Sequence, residues 1–268
     1  MDPNMSSFIG ADSKDYVTSL ARGLAVIRCF DKDHCRLTLT EVASRTELAR
    51  ATARRFLHTL HALGYVESDG KYFWLSARVL NLGFSYLNSQ PLVELIQPYI
   101  KEVSEHTGES CSVSVLDLPD VVYIARSLTR QLMSVSLNIG SRLPALSTSM
   151  GRVLLAAMPE QEIYKFIKKQ KINKFTKHTL TDDSLILNEV LAARSQGYSL
   201  VNEELEIGLS SVSVPIINKQ GKAVAAINIS SQPQKMDKKR LKEELLPSLQ
   251  QAAAKIAEVL PVDESLSL

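Results

Sequence analysis

Apolar residues recur at helical spacing between positions 50 and 63, and cationic residues recur on the other side of the same segment. At about 100° per residue, one side of the predicted helix is apolar and requires a core to pack against. The opposite side suits a helix that lies against the phosphates and base edges of a nucleic acid. The apolar positions are Ala53, Phe56, Leu57, Leu60 and Leu63, and the opposite positions are Ala51, Arg54, Arg55, His58 and Ala62.

A shorter helix is predicted just before this one. Thr38 and Glu41 have the spacing of a capping box, in which two side chains bond to each other's backbone N–H groups. The polar residues 45–47 then connect the short helix to the long one. Two helices with so short a connection predict a helix-turn-helix.

The chain after the long helix predicts a β-hairpin. Gly64 stands where a helix C-cap belongs, and strand-like residues 65–67 and 71–74 flank the turn dipeptide Asp69-Gly70. A hairpin in this place is the wing of a winged helix-turn-helix, with Trp74 predicted in the core beneath it. The alternative is an amphipathic helix with solvated arginines, followed by an unrelated hairpin.

One further helix is predicted on either side of this motif. The first covers residues 17–30 and is predicted to pack behind the helix-turn-helix. The second covers residues 75–87, is capped by Ser76, and is apolar over much of its surface, which favours burial against a second copy of the chain. The apolar face of the first helix consists of Leu20, Leu24, Ile27 and Phe30.

A break at Ser89-Gln90-Pro91 predicts a domain boundary. The predicted division is a disordered tail over residues 1–15, a winged helix-turn-helix domain over 16–75, a linker helix over 76–90, and a second domain over 91–262.

In the second domain, strand and helix patterns alternate irregularly, with hairpins at 117–120 and 218–221. This order predicts an α+β fold with a mostly antiparallel sheet. The strand patterns cover 112–116, 121–126, 132–137, 198–202, 210–217 and 223–231. The helix patterns cover 92–106, 149–158, a lysine-rich segment from Pro159, 183–197, and 237–260 with a bend or delay at Pro247.

Composition limits the classes of protein. A chain of 268 residues is long enough for two domains, and a hydrophobic fraction of 45% is ordinary for a globular protein. The net charge is only +2, but residues 14–90 carry 11 Lys+Arg against 7 Asp+Glu, which supports contact with an anionic polymer.

The three cysteines and five histidines show no metal-ligand spacing, so no metal and no cofactor are expected. The low, odd number of cysteines favours reduced thiols in the cytoplasm. The polar first residues predict no signal peptide, and no apolar run approaches the roughly 18 residues of a membrane span, so no membrane contact is expected.

Over nearly its whole length the chain resembles the IclR-type bacterial transcription regulators. The N-terminal motifs are LTEVASRTELARATARRFLHTLHALGYV and Leu80-Asn81-Leu82-Gly83. Within the first, RATARRFL resembles a narrower branch that regulates aromatic-acid catabolism in response to protocatechuate or 4-hydroxybenzoate. The C-terminal motifs are Leu143-Pro144, Thr148-Ser149-Met150-Gly151-Arg152, Gly197-Tyr198, residues 208–215 (GLSSVSVP) and residues 225–230 (AAINIS).

This resemblance implies a GAF/PAS-like effector domain, a double-stranded DNA operator, and a homodimer or dimer of dimers that controls a catabolic operon. The implied effector is a small aromatic carboxylate, protocatechuate first and 4-hydroxybenzoate second. Thr46 stands where many members of the family have glycine. With the helix face above, the DNA-binding residues are expected to be Arg50, Ala51, Thr52, Arg54, Arg55, His58 and Lys71.

A hydroxyl-rich stretch leads into the helix predicted from residue 149. Free backbone N–H groups and the helix dipole at such a start can hold a carboxylate. Ser147, Thr148 and Ser149 add donors, Gly151 permits close approach, and Arg142 or Arg152 could add charge. The alternative from the residues alone is an ordinary helix cap.

The resemblance favours the binding site over the cap and implies which residues line it. The first side of the expected effector pocket consists of Val135, Leu143, Ser149 and Met150, with Ser147 and Thr148 beside them; the second side consists of Leu209, Ser211, Asn228 and Ser230. The carboxylate is expected at the helix start, and the ring hydroxyls at Ser211, Asn228 or Ser230.

Two weaker readings remain. Lysines between positions 165 and 177 could touch DNA, but their helical spacing favours a solvated face. Glu203, Glu204 and Glu206 are expected to be surface or inter-domain charge.

An enzyme acting on a small aromatic acid, with an appended helix-turn-helix, is the alternative function. No catalytic residue set at a recognised spacing supports it.

Overall fold

The structure is a computed structural model that describes residues 13–89, 92–129 and 137–260. It divides into two compact units, with the boundary between Ser89 and Gln90. Within the described ranges, no helix combines the length and the apolar character that a membrane span requires.

Over residues 13–89, the first unit contains four α-helices and a three-stranded sheet. Its antiparallel strands lie in the order β1-β3-β2, where β2 and β3 form the predicted hairpin. The two-residue strand β1 was not predicted, because so short a strand leaves no alternation in the sequence. The elements are α1 (Thr18–Arg28), β1 (Leu37–Thr38), α2 (Leu39–Arg45), α3 (Arg50–Ala62), β2 (Val66–Ser68), β3 (Tyr72–Leu75), a 3-10 turn (Ala77–Val79) and α4 (Leu80–Ser89).

The ends of α2 follow directly from side-chain chemistry. The predicted capping box is confirmed, because Thr38 N–H donates to Glu41 Oε2 at 2.7 Å and Glu41 N–H donates to Thr38 Oγ1 at 3.4 Å. Thr46 has an ordinary helical backbone with φ of −100°, and its hydroxyl donates to Val42 O. The left-handed residue of the turn is Glu47, with φ of 55°. Threonine is therefore accommodated at position 46 without strain.

Two predictions about the core of the first unit are wrong. On α1, Ile27 and Phe30 pack partly on the core as predicted, but Leu20 and Leu24 are 63% and 47% exposed, because the buried face is rotated toward Val26. On α3, Ala53 and Leu57 are buried as predicted, but Leu63 follows the last helical residue and is exposed.

Trp74 is also not in the core. Residues alternate along β3, so Phe73 packs on the core while Trp74 lies on the other face of the hairpin. There the indole N–H donates to Glu67 Oε2 at 3.0 Å, and the Arg36 guanidinium stacks 4.1 Å from the ring centroid.

The second unit is built on a six-stranded antiparallel sheet in the order β6-β5-β4-β9-β8-β7, which confirms the predicted α+β class. Helices α5 and α10 contact each other and the sheet, while α6 contacts β8 and β9 and packs on α8. The elements are α5 (Leu92–Thr107), β4 (Ser110–Asp117), β5 (Asp120–Ser127), β6 (Arg142–Pro144), α6 (Ser149–Leu155), α7 (Glu160–Lys169), α8 (Asp183–Gln196), β7 (Ser199–Asn202), β8 (Ser210–Ile217), β9 (Ala223–Ser231), α9 (Lys238–Arg240), a π-helical segment (Leu241–Leu245) and α10 (Leu246–Val259).

Local signals set most of these boundaries. Asp182 caps α8 by accepting from two backbone N–H groups, and Gly197 ends it in the left-handed conformation that glycine adopts readily. The delay predicted at Pro247 is confirmed, because the π-helical segment precedes α10 and Pro247 lies in its first turn. The three-residue strand β6 was not predicted. The predicted strand 132–137 lies outside the described residues, apart from Leu137.

Candidate functional site

An open cleft in the first unit lies between the start of α2, one side of α3 and the wing, and it encloses about 920 Å³. The apolar side of α3 holds this helix against the core, which leaves its opposite side turned into the cleft. Five of the predicted DNA-binding residues line the cleft, and Thr52 and Arg55 do not. The five are Arg50, Ala51, Arg54, His58 and Lys71.

The cations of this cleft have no acidic partners. Within the described residues, none of Arg50, Arg54 and Lys71 forms an ion pair. Arg54 Nε donates to His58 Nε2 at 3.3 Å, an i,i+4 contact along α3. Unpaired cations around an open cleft produce a positive potential that suits a phosphate backbone.

In the second unit, alternation along the strands gives the sheet a polar face toward α6. On β8, Val212 and Val214 point to one side, while Ser211 and Ser213 point to the other and bond to Ser149 of α6. The corresponding polar positions of β9 and β4 are Asn228, Ser230, Ser112 and Ser114, which register places on the same face.

Four of the predicted effector residues form one hydrogen-bonded network on this face. Ser149 Oγ lies 2.7 Å from Ser211 Oγ, and it also lies 2.6 Å from Ser213 Oγ. The side-chain amide of Asn228 donates to Ser211 Oγ at 2.9 Å and to Ser230 Oγ at 3.0 Å. Asn228 is only 2% exposed, and its Oδ1 has no hydrogen-bond partner within the described residues. A buried acceptor of this kind favours a ligand that donates a hydrogen bond.

This network changes the expected arrangement of the site. Ser149 and Asn228 were expected to hold opposite ends of an aromatic acid, yet both contact the same hydroxyl, that of Ser211. They therefore lie at one end of the site, with no space for a ring between them.

The start of α6 is also less available to a ligand than expected, because groups of the chain itself already contact it. Thr148 Oγ1 accepts from Gly151 N–H at 3.1 Å, so the ordinary cap is present. Gly151 does allow a close approach, but to the chain itself. A Cβ at this position would lie 2.1 Å from Ala145 O. The close neighbour of Gly151 is thus backbone rather than ligand.

The other residues predicted to line the effector pocket have different surroundings. Met150 is buried, and its Sδ accepts from Ser114 Oγ at 3.1 Å. Leu209 is buried, and Leu143 is half-buried on β6. Ser147 lines a separate cavity of about 180 Å³ beside Pro119 and Lys171. Val135 lies outside the described residues.

Neither arginine predicted near the helix start is free for a carboxylate. Arg142 bonds to Asp117 at 2.5 Å and to Asp120 at 3.0 Å. Arg152 is 1% exposed and pairs with Glu204, with Nη1 2.7 Å from Oε1 and Nη2 2.9 Å from Oε2. The prediction that Glu204 is a surface or inter-domain charge is therefore wrong, because Glu204 neutralises a buried guanidinium within the second unit. By contrast, the lysines between positions 165 and 177 are solvent-exposed, as predicted.

Sequence reasoning missed Arg126, which lies on β5. Its pairing with Ser112 places it on the polar face, where its Nε donates to Ser112 Oγ at 3.3 Å. The guanidinium lies 5.5 Å from the ring centroid of Tyr123 and also donates to Leu137 O. Burial lowers the pKa of Arg126, and burial likewise raises the pKa of Tyr123 to about 12. Only strand register reveals this position, since nothing adjacent in sequence marks it.

Comparison with known proteins identifies the family. The model of the IclR helix-turn-helix domain matches residues 19–70, and that of the bacterial transcriptional regulator IclR C-terminal domain matches residues 84–258. The chain belongs to the IclR family. It is therefore a DNA-binding transcription regulator, and the alternative of an enzyme with an appended helix-turn-helix finds no support among these relatives.

Two regulators and one solved structure are close to the chain. The Pca regulon regulatory protein of Pseudomonas putida is 42% identical over 88% of this chain and 81% of its own length. The p-hydroxybenzoate hydroxylase transcriptional activator of Acinetobacter baylyi is 38% identical over 90% of this chain and 91% of its own length. The inducer-binding domain of the Acinetobacter PobR transcription factor was solved as a double mutant in complex with 3-hydroxybenzoic acid. It is 32% identical, with a TM-score of 0.58, and covers 63% of this chain and 98% of its own length.

Proposed function

We propose that this regulator controls an aromatic-acid catabolic operon in the cytoplasm and responds to a small hydroxybenzoate, with protocatechuate the first candidate and 4-hydroxybenzoate the second. The observation that carries the proposal is the network of Ser149, Ser211, Asn228 and Ser230 beneath α6. Neutral hydroxyl and amide groups beside apolar residues such as Met150 suit a small aromatic ligand with phenolic hydroxyls. The names of the relatives from Pseudomonas and Acinetobacter support this class of operon.

Asn228 is the residue best placed to read a ring hydroxyl. A phenolic O–H can donate to its buried Oδ1, which otherwise has no partner among the described residues. A ligand without that hydroxyl would leave the acceptor desolvated and unpaired, which carries a free-energy cost. This chemistry favours hydroxylated benzoates over benzoate.

The test is calorimetric titration of the full chain with benzoate, 4-hydroxybenzoate and protocatechuate. The wild type should bind at least one hydroxylated acid about tenfold or more tightly than benzoate. Asn228→Ala should lose this preference, and Ser149→Ala should weaken binding of every acid that the wild type binds, because Ser149 positions Ser211. Equal affinity for all three acids in the wild type would contradict the assignment of Asn228, and no binding would move the effector to another chemical class.

The operator is proposed to bind in the cleft of the first unit, with Arg54 at base edges and Arg50 and Lys71 on phosphates. Ala51 and Thr52 are small enough to allow α3 a close approach to the DNA. Arg55 and His58 extend the contact along the helix.

A second copy of the chain is proposed to cover α4. Leu80 is 75% exposed and Leu82 is 46% exposed, and two copies would present two helix-turn-helix motifs to an operator with two related half-sites. Sedimentation of the DNA-free protein should give a dimer or a tetramer. A monomer at micromolar concentration would contradict this assembly.

A further inference from the structure

We infer that Arg126 is the anchor for the effector's carboxylate, so that the acid lies across the sheet with its charged end at β5 and its hydroxyl end at Asn228. This inference rests on the proposed function, since it takes the effector to be an aromatic acid. The sequence predicts the carboxylate at the start of α6, whereas this inference places it at Arg126 on β5.

Strand register sets the direction of the ligand. Ser112 of β4 pairs with Arg126 on one side and with Asn228 on the other, so the three residues form one row across neighbouring strands. Because adjacent strands lie about 5 Å apart, the backbones of Arg126 and Asn228 are separated by about 10 Å. The row therefore has a cation on one side of Ser112 and an open acceptor, Asn228 Oδ1, on the other.

Charge distinguishes Arg126 from every other residue of the row. Among the described residues of β4, β5, β8 and β9, it is the one charged side chain on the face toward α6. Within the same residues it has no acidic partner, whereas Arg142 and Arg152 are each held by carboxylates. The groups that face Arg126 are the hydroxyl of Ser112, the ring of Tyr123 and the carbonyl of Leu137. A partly buried cation without a counter-charge is stabilised when an anion binds to it.

Hydrogen-bonding capacity sets the orientation of the ligand. Both N–H groups of the Asn228 amide are already donated, to Ser211 and Ser230, so the open atom is the acceptor Oδ1. An ionised carboxylate has only acceptors and would be repelled there, whereas a phenol can donate. The two open groups of the row, a cation and an acceptor, thus match the two ends of a hydroxybenzoate in one orientation only.

The experiment is a calorimetric comparison of 4-hydroxybenzoate with its neutral analogue 4-hydroxybenzamide, on the wild type and on Arg126→Gln. The wild type should prefer the acid. Arg126→Gln should lose about tenfold to a hundredfold in affinity for the acid and about twofold or less for the amide, so that the preference disappears. An unchanged preference in Arg126→Gln would overturn the inference. Failure of the wild type to bind any hydroxybenzoate would instead overturn the proposed function, and this inference with it.

Two variants control for fold and position. Arg142→Gln removes an arginine on the neighbouring strand β6 that is already held by Asp117 and Asp120, and it should leave the preference for the acid unchanged. Equal losses in Arg142→Gln and Arg126→Gln would contradict a specific contact. Arg126→Lys retains the charge without the forked guanidinium and should keep a reduced preference for the acid. It serves as the second measurement if Arg126→Gln has a lowered unfolding midpoint.

A crossed comparison tests the orientation. Asn228→Ala should erase the preference for 4-hydroxybenzoate over benzoate while keeping the preference for acid over amide. Arg126→Gln should do the reverse, because each residue contacts one end of the ligand. If Arg126→Gln erased the hydroxyl preference instead, the proposed orientation would be wrong.

Discussion

The cleft of the first unit, which we propose as the DNA site, and the polar sheet face of the second, which we propose as the effector site, differ in their chemistry. The cleft presents exposed cations, among them Arg50, Arg54 and Lys71, that have no acidic partners in the described structure. The sheet face presents mainly neutral hydroxyls and one amide, which are largely buried and bonded to each other, together with one partly buried cation, Arg126. A charged polymer can be attracted by solvated side chains, because its field acts at a distance. A small molecule requires groups that are already fixed in position, because it makes only a few contacts.

Because of this difference, mutations in the two regions should affect binding and stability differently. Cations of the cleft take no part in the core of the first unit, so their removal should weaken DNA binding and leave the fold intact. Residues of the sheet face are largely buried and hydrogen-bonded to one another, so a change there should alter stability and ligand binding together.

The largest expected effect is that of Gly151→Ala. A methyl group at this position would overlap Ala145 O, at 2.1 Å, and backbone cannot move aside as a flexible side chain can. We expect the effector unit to lose about 3 kcal/mol or more in its free energy of unfolding, measured by urea denaturation.

The matched control for that change is Gly23→Ala, at a helical glycine of α1 where the added methyl group would lie 3.8 Å from the Phe56 ring, an ordinary van der Waals contact. It should be neutral or gain up to about 1 kcal/mol, since alanine favours helix more than glycine does. Equal stability of Gly151→Ala and the wild type would show that the start of α6 is less tightly packed than the structure has it.

The next effect is on DNA affinity. Arg54→Ala should cost about 1–3 kcal/mol of operator binding and relax specificity at one base position, while thermal unfolding stays unchanged. Arg55→Ala should cost less, because Arg55 lies outside the lining of the cleft. Binding curves on operator DNA and on scrambled DNA would separate the two. Wild-type affinity and specificity in both variants would mean that α3 does not read the operator.

A smaller effect is expected at the wing. Lys71→Ala should weaken binding to all DNA sequences alike and reduce the slope of log affinity against log salt concentration by about one unit, the amount for one phosphate contact. Titrations at three or more salt concentrations would measure this. A change confined to the operator sequence would instead assign Lys71 to a base.

The smallest effect distinguishes two residues with the same backbone conformation. Glu47 and Glu203 both have φ of 55°, which costs a non-glycine residue about 1–2 kcal/mol. Within the described residues the Glu47 side chain makes no hydrogen bond, so Glu47→Gly should raise the free energy of unfolding slightly, by up to about 1 kcal/mol, as measured by urea denaturation. Glu203 Oε1 accepts from Gly208 N–H at 2.7 Å, so Glu203→Gly should gain less or lose stability. A larger gain in Glu203→Gly would contradict this reading.

Local features of the fold were predictable because their causes lie within a few residues. The capping box of α2, the two faces of α3 and the hairpin of the wing each depend on neighbours in sequence, and each is present. Periodicity fails where an element ends or rotates, as at Leu63 and on α1. The position of Trp74 was also mispredicted, because alternation along β3 puts Phe73 on the core side and Trp74 on the other face, where Arg36 from outside the hairpin stacks on its ring.

The effector site was predictable only in part, because it is assembled from distant segments. The predicted residues Ser149, Ser211, Asn228 and Ser230 do come together, but their mutual hydrogen bonds depend on strand register that no local pattern encodes. For the same reason Arg126 was missed. The ion pair of Arg152 with Glu204 joins residues more than 50 positions apart, and charge alone suggests a surface location for both.

Strand β8 packs against α10 and meets α6 through Ser211 and Ser213, while Val212 and Val214 are buried on the opposite face of the sheet. Strand β8 thus contributes apolar packing on one face and hydrogen-bonding groups on the other. Replacing one of these serines with alanine, threonine or cysteine changes the hydrogen-bonding groups available to a ligand, while the valines on the other face remain. A few such exchanges are expected to change which acid is bound, at the cost of hydrogen bonds within the network of Ser149, Ser211 and Asn228.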